Sequence, residues 1–379
     1  MTIETILTNV RLVLPNEVIE GTLVLAGTLI REVSSGRSAL AGALDMDGDF
    51  LIPGVVDVHT DNLERQVQPR SNARWPSRSA LLAHDAQCAG AGVTTVLDAL
   101  CLGDLGFDKD RIRTFREGVA DLDAMADTGL LKSDHYLHLR CEMPAEDVLT
   151  LVDPVADHRL VRMVSLMDHS PGVGQYANLD RYRALRRQDG HSEGHIERQI
   201  GELTEQRARL RAPNRAGLLA RFAVLDVAIA SHDDETEAEI LENFTDGIRI
   251  SEFPVTLLAA QAARRLGMGV IAGAPNIVRG GSHSGNVSAT DLIRAGAVNA
   301  LASDYVPAAL VEAAFMCARD TGITLPQAVA MVTDTPARMA SLTDRGRLEA
   351  GLRGDLVRVR VHHGLPVVRQ VWRSGERVA

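Results

Sequence analysis

The segment Pro53-Gly54-Val55-Val56-Asp57-Val58-His59-Thr60-Asp61 carries an imidazole and carboxylates at alternate positions. On a strand, residues two apart face the same way, so His59 and Asp61 can converge on one ion. Imidazole with carboxylate suits zinc, manganese or iron. A lone H-x-D is a weak signal, but here it closes a short apolar run opened by Pro-Gly. Four more residues sit at the ends of similar runs: Glu142 ends HLRCE, His169 ends SLMDH, His232 ends AIASH, and Asp304 follows ALAS. Any one of these alone is better explained as a satisfied polar residue near a strand end. Taken together they can hold two divalent ions, with a carboxylate such as Glu142 bridging them. Asp304 would then orient or deprotonate a water, which makes the chemistry metal-assisted hydrolysis.

A second set of residues suits an anionic substrate. The stretch GAPNIVRGGSHSGNV at 273–287 combines glycines, whose N–H groups can approach an oxyanion, with Arg279, Ser282, His283 and Ser284 as donors. No lysine follows the glycines, so it is not a Walker A loop. The early loop DNLERQVQPRSNARWP adds Arg65, Arg70 and Arg74, and Arg140 stands two residues before Glu142. A flexible loop and a solvated charged face are the plain alternatives. The combination favours a small phosphorylated substrate.

These residues need a scaffold that brings strand ends together. The runs IPGVVDVH, TTVLDAL, YLHLRCE, VRMVSLMDH, DVAIASHD, IRISEFP, MGVIAGAPN and NALASDY recur along the chain, separated by helix-like stretches. Such repetition predicts a (β/α)8 barrel, whose site lies at the C-terminal ends of its strands. Residues 1–50 and 341–379 alternate β-like runs with turns, so both termini are expected in one small β-sandwich domain around a barrel over 51–340. Residues 174–212 are strongly polar and helical in character. They predict an exposed insertion over the barrel mouth, either a lid or a solvated surface helix.

Bulk properties narrow the class. The chain has 379 residues, and its formal net charge of −10 argues against a general affinity for nucleic acid. Aromatic residues make up 3 %, too few for an obvious base-stacking platform. Four widely spaced cysteines (Cys88, Cys101, Cys141, Cys317) form no C-x-x-C pair, and the start has no secretion-signal pattern. No apolar run approaches the roughly 20 residues that span a bilayer. A soluble cytoplasmic enzyme is expected, with no membrane partner and room for a homo-oligomer.

The β-rich ends, the Pro-Gly-Val-Val-Asp-Val-His entry and the Ser-Asp-Tyr exit resemble the amidohydrolase superfamily. More narrowly, HTDNLERQVQPR, LDAL, HLRCE, SLMDHSPG, ASHDD, GAPNIVRGGSHSGNV and LASDYVPAALVEAAF resemble the alpha-D-ribose 1-methylphosphonate 5-triphosphate diphosphatase family of the carbon–phosphorus lyase pathway, from about Ile6 to Val378. The resemblance implies attack of water on the 5-triphosphate, release of pyrophosphate, and an untouched methylphosphonate at C1. It implies metal at His59, Asp61, Glu142, His169 and His232, with Asp304 near the water and zinc foremost. Two departures from the superfamily pattern stand out. The first-strand H-x-H is H-x-D here, and the bridging carboxylated lysine has no counterpart, so Glu142 is its expected substitute. A cyclic-amide hydrolase or deaminase on the same fold is the alternative, and a catalytically silent binding subunit the remoter one.

Overall fold

The computed structural model describes residues 4–70, 73–106, 110–281 and 286–379. Each of the eight apolar runs contains a strand of one parallel sheet. In chain order they are Val55–Thr60, Val93–Leu102, Asp134–Glu142, Val161–Met167, Ala228–His232, Ile250–Glu252, Gly269–Gly273 and Ala300–Ala302. Hydrogen bonding runs in that order, and the ring closes where Asp304 meets the first strand. The Asp304 N–H donates to the His59 carbonyl at 3.0 Å, and the Asp61 N–H donates to the Asp304 carbonyl at 2.6 Å. The expected barrel is therefore present.

Side-chain size sorts the two faces of this barrel. A large apolar layer lies between strands and helices, including Leu100, Leu139, Val164, Leu218 and Leu310. The interior holds Val56, Val58, Leu97, Ala230, Ala300 and Ala302. Small residues there leave room for His138, Ser165 and Glu252, all fully buried.

The termini meet in one eight-stranded sheet. Strands Glu4–Val13, Val18–Ala26 and Leu29–Ser35 form one arm, and Leu356–His362 and Leu365–Arg373 the other. Phe50–Pro53 joins them, pairing parallel with the first arm and antiparallel with Leu356–His362. That shared strand makes a single continuous ladder, and strands of both arms enclose a core of their own, including Leu7, Leu23, Leu356 and Trp372. The chain then passes straight from Pro53 into the barrel. A side chain at Gly54 would sit 2.2 Å from Thr94 Oγ1 and 2.7 Å from the Asp355 Cβ, so the junction admits only glycine.

The polar segment contains a short helix, Leu179–Gln188, and a 30-residue helix, Glu193–Phe222. The second runs ten residues past the position expected to end it, through Pro213. Buried Asn214, Leu218 and Phe222 hold the continuation, and the Asn214 amide donates to the carbonyls of Met143 and Ala145 at 2.8 and 2.9 Å. Among the described residues no helix is long and apolar enough to cross a membrane.

Candidate metal centre

Three strands end in the same way. Asp233, Phe253 and Asp304 have φ of 57°, 54° and 56°, a left-handed conformation that is uncommon outside glycine. Each donates its N–H to the neighbouring strand end: Asp233 to Glu252, Phe253 to Ile271 and Asp304 to His59. The rim of the barrel is thus fixed by backbone bonds, and side chains at these positions have a defined place.

Three histidines at the rim each have Nδ1 against a buried carboxylate. His59 and His232 lie 2.8 Å from Glu252, one on each oxygen. His169 lies 2.7 Å from Glu142 Oε2, and its own N–H donates to Glu142 Oε1 at 2.7 Å. With Nδ1 engaged, Nε2 is the nitrogen left for an ion, the usual arrangement behind metal-bound histidine. Carboxylates face those nitrogens. His59 Nε2 is 3.5 Å from Asp61, and the Nε2 atoms of His169 and His232 are each 3.9 Å from Asp233. Two groups result at the cavity, His59/Asp61/Asp304 and His169/His232/Asp233, each with donor atoms mutually within 4.8 Å, and His59 also falls with His138 and Glu252 in a third, wholly buried group. His169 Nε2 is buried with no hydrogen-bond partner. A buried polar atom in that state fits a divalent ion, as does the mixed imidazole and carboxylate donor set.

Electrostatics follow from the same contacts. Burial would lower the His59 imidazole, but the Glu252 carboxylate lifts it to about 10, so an ion at Nε2 must displace a proton. Burial opposes the charge on Asp61, yet the Arg140 guanidinium beside it holds its carboxyl well below the carboxylate range. Glu142, also buried, is held low by His169. A further imidazole–carboxylate group, His84/Asp98/His135, lies away from the rim. There both Asp98 oxygens are taken, by His84 Nε2 at 2.7 Å and His135 Nδ1 at 2.8 Å, which makes it a closed hydrogen-bond network.

Of the residues singled out in the sequence, His59, Asp61, Arg140, His232, Arg279 and Asp304 line one cavity of about 260 Å³ at the strand ends. His169 adjoins it through Asp233. Glu142 has both oxygens turned to His169, a different placement from the bridging position expected of it. Arg140 donates to Asp61 at 2.5 Å while also lining the cavity. Arg70 is exposed and is not part of the cavity wall, and Arg74 pairs with Glu117 at 2.7 Å. Ser282 and His283 lie outside the described residues. Arg279 reaches Tyr305 Oη at 3.4 Å, and Arg65 donates to the Tyr305 carbonyl at 3.2 Å. Sequence reasoning placed Glu252 and Asp233 at strand ends but gave them, and Tyr305, no role in the site. Their signal was present, since all three stand at or just past ends of strand-like runs.

The comparisons with known proteins agree with this architecture. Residues 219–379 match the family model described as the amidohydrolase family. The chain is 42 % identical, over 98 % of its own length and 100 % of the relative's, to alpha-D-ribose 1-methylphosphonate 5-triphosphate diphosphatase of Escherichia coli strain K12. Among solved structures, dihydropyrimidinase of Brevibacillus agri superposes with a TM-score of 0.68 at 12 % identity, covering 99 % of this chain and 95 % of that one. The 5-methylcytosine deaminase of Klebsiella pneumoniae superposes with a TM-score of 0.66 at 16 % identity, covering 99 % and 97 %. These two establish the fold alone. The full-length likeness establishes more: this chain is a hydrolase of amidohydrolase fold and belongs to the alpha-D-ribose 1-methylphosphonate 5-triphosphate diphosphatase family.

Proposed function

We propose that the protein hydrolyses alpha-D-ribose 1-methylphosphonate 5-triphosphate to the 5-phosphate and pyrophosphate, serving phosphonate catabolism in the cytoplasm. The observation that carries this reading is the cavity itself. Its lining combines His59, Asp61, His232, Asp233 and Asp304 with Asn276, Arg279 and Tyr305. The substrate is that named for the full-length relative. Four free, buried cysteines suit a reducing compartment.

In this reading His59, Asp61 and Asp304 face one divalent ion, and His169, His232 and Asp233 a second, with zinc favoured over manganese or iron. Such ions, when bound, lower the pKa of water towards neutrality and offset charge on phosphoryl oxygens. The chain's own groups do the rest. Asp304 takes the proton of the water that attacks the α-phosphorus. Its carboxylate is half-buried and its backbone is pinned on both sides to the first strand, which keeps the acceptor in place. Arg279, at the outer edge, meets the negative charge that collects on departing pyrophosphate. Arg140, paired with Asp61, holds that carboxylate ionised and turned inward.

The test is ³¹P NMR of zinc-loaded protein with the ribose triphosphate and, separately, with ATP or GTP. Pyrophosphate and the 5-phosphate, formed faster from the ribose compound, are expected. Orthophosphate release would move the attack to the terminal phosphorus and reassign Arg279. No turnover of any phosphoric anhydride would overturn the reading in favour of a cyclic amide or deaminase substrate.

A further inference from the structure

We propose that Glu252 is a positioning residue that sets the tautomer of two metal-ligand imidazoles at once, held for this by Ser165. The proposal rests on the reading of His59 and His232 as ligands.

Glu252 ends the sixth strand, and its carboxylate is wholly enclosed. Oε1 is 2.8 Å from His59 Nδ1, and Oε2 is 2.8 Å from His232 Nδ1. A carboxylate only accepts, so each ring must carry a proton on Nδ1. Each therefore presents Nε2 outward. The two rings lie nearly parallel, at 23° with centroids 6.1 Å apart. A third donor fixes the carboxylate itself. Ser165 Oγ donates to Oε2 at 2.7 Å from the fourth strand, and that hydroxyl is 2.6 Å from His138 Nε2 on the third. His138 is anchored in turn at 2.9 Å from the Val58 carbonyl. Strands one, three, four, five and six thus meet at one buried acid. Two ligands on separate strands share a single support, one on each carboxylate oxygen.

Glu252→Gln tests this because glutamine has one acceptor oxygen and one NH2 donor. It can serve one imidazole as before. The other ring must turn a lone pair to the NH2 group, shift its proton to Nε2, and cease to be a ligand. Zinc affinity, measured by chelator competition and elemental analysis, is expected to fall about 10- to 100-fold. In protein labelled with ¹⁵N-histidine, long-range ¹H–¹⁵N spectra are expected to show one of the two rings with its proton on Nε2. Wild-type affinity with both rings protonated on Nδ1 would overturn the proposal. Ser165→Ala supplies the second arm should the glutamine variant not fold: a loss of about tenfold in zinc affinity, restored by Ser165→Thr, is expected. Unchanged affinity in Ser165→Ala would remove the support assigned to it. His59→Ala separates the two levels of inference. If it too binds zinc as the wild type does, the ligand reading fails. If it loses zinc while Glu252→Gln does not, only the shared-support proposal fails.

Discussion

Replacing Asp304 with asparagine isolates the proton-accepting role proposed for it from its structural one. The residue has φ of 56°, a region that asparagine and aspartate tolerate better than other side chains, so the backbone should accept the change. Its two closing hydrogen bonds, to the His59 carbonyl and from the Asp61 N–H, are made by the main chain and survive. What asparagine loses is the capacity to accept a proton. A positioned general base contributes about 10²–10⁴ in rate, which is about 3–5 kcal/mol of barrier. Asp304→Asn should therefore keep its fold and nearly all its zinc while kcat for pyrophosphate release falls by about 10²–10⁴. Alanine at the same place adds about 1 kcal/mol of left-handed strain and should lower the unfolding midpoint as well. The assay is continuous pyrophosphate detection beside elemental analysis and thermal unfolding of the same samples. An asparagine variant with full metal and kcat within tenfold of wild type would refute the assignment.

Three further outcomes are expected. Arg279→Ala should raise KM or lower kcat/KM by about 10- to 100-fold for the triphosphate, the weight of one or two charge-assisted hydrogen bonds, while zinc content stays unchanged; equal kcat/KM would place the phosphates elsewhere. Arg345, 5 % exposed, binds Asp134, Asp344 and Thr95 and ties the second and third barrel strands to the segment that leads into the terminal sheet. Arg345→Met should lower stability by about 3 kcal/mol in urea unfolding, the low end for a broken buried pair, because Asp134 keeps Arg353 and Arg373; a loss under 1 kcal/mol would contradict this. His135 is lowered by burial but lifted overall to about 9 by Asp98 and Asp85, above its unfolded value of 6.5. Its contribution, about 3 kcal/mol, is therefore complete below pH 6.5 and disappears as pH rises through 9. Urea titrations at pH 6.5 and 9.5 should show the gap between wild type and His135→Asn closing at high pH, and a constant gap would exclude the mechanism.

The barrel was legible because each of its strands is a short apolar run between polar stretches, and period and length suffice for that. The rim was legible too, since buried runs that end in His, Asp or Glu leave those side chains at the mouth. Which atom of the rim faces an ion was not. Glu142 and Asp61 look alike in sequence, each a carboxylate at a strand end. Only the fold shows that Glu142 turns to His169 and Asp61 to the cavity. Glu252 follows Ile250-Ser251 in a strand of three residues, and nothing local tells that His59 and His232 converge on it. His138 carried a clue that alternation alone supplies, as it stands two and four residues before Arg140 and Glu142 on one strand. The long helix passed Pro213 because tertiary contacts of Asn214 and Phe222 outweighed a local break.

The seam of the barrel has a consequence for how the molecule comes into being. The first and last strands of the ring are joined by Asp304, so the act that shuts the ring also delivers the carboxylate opposite His59 and Asp61. A ribosome releases His59 early and Asp304 only after most of the chain has emerged. A half-made chain therefore presents a histidine and an acid without their third companion. The three-residue group arrives in one step with the finished fold, and a fragment stopped short of the seam lacks its third member.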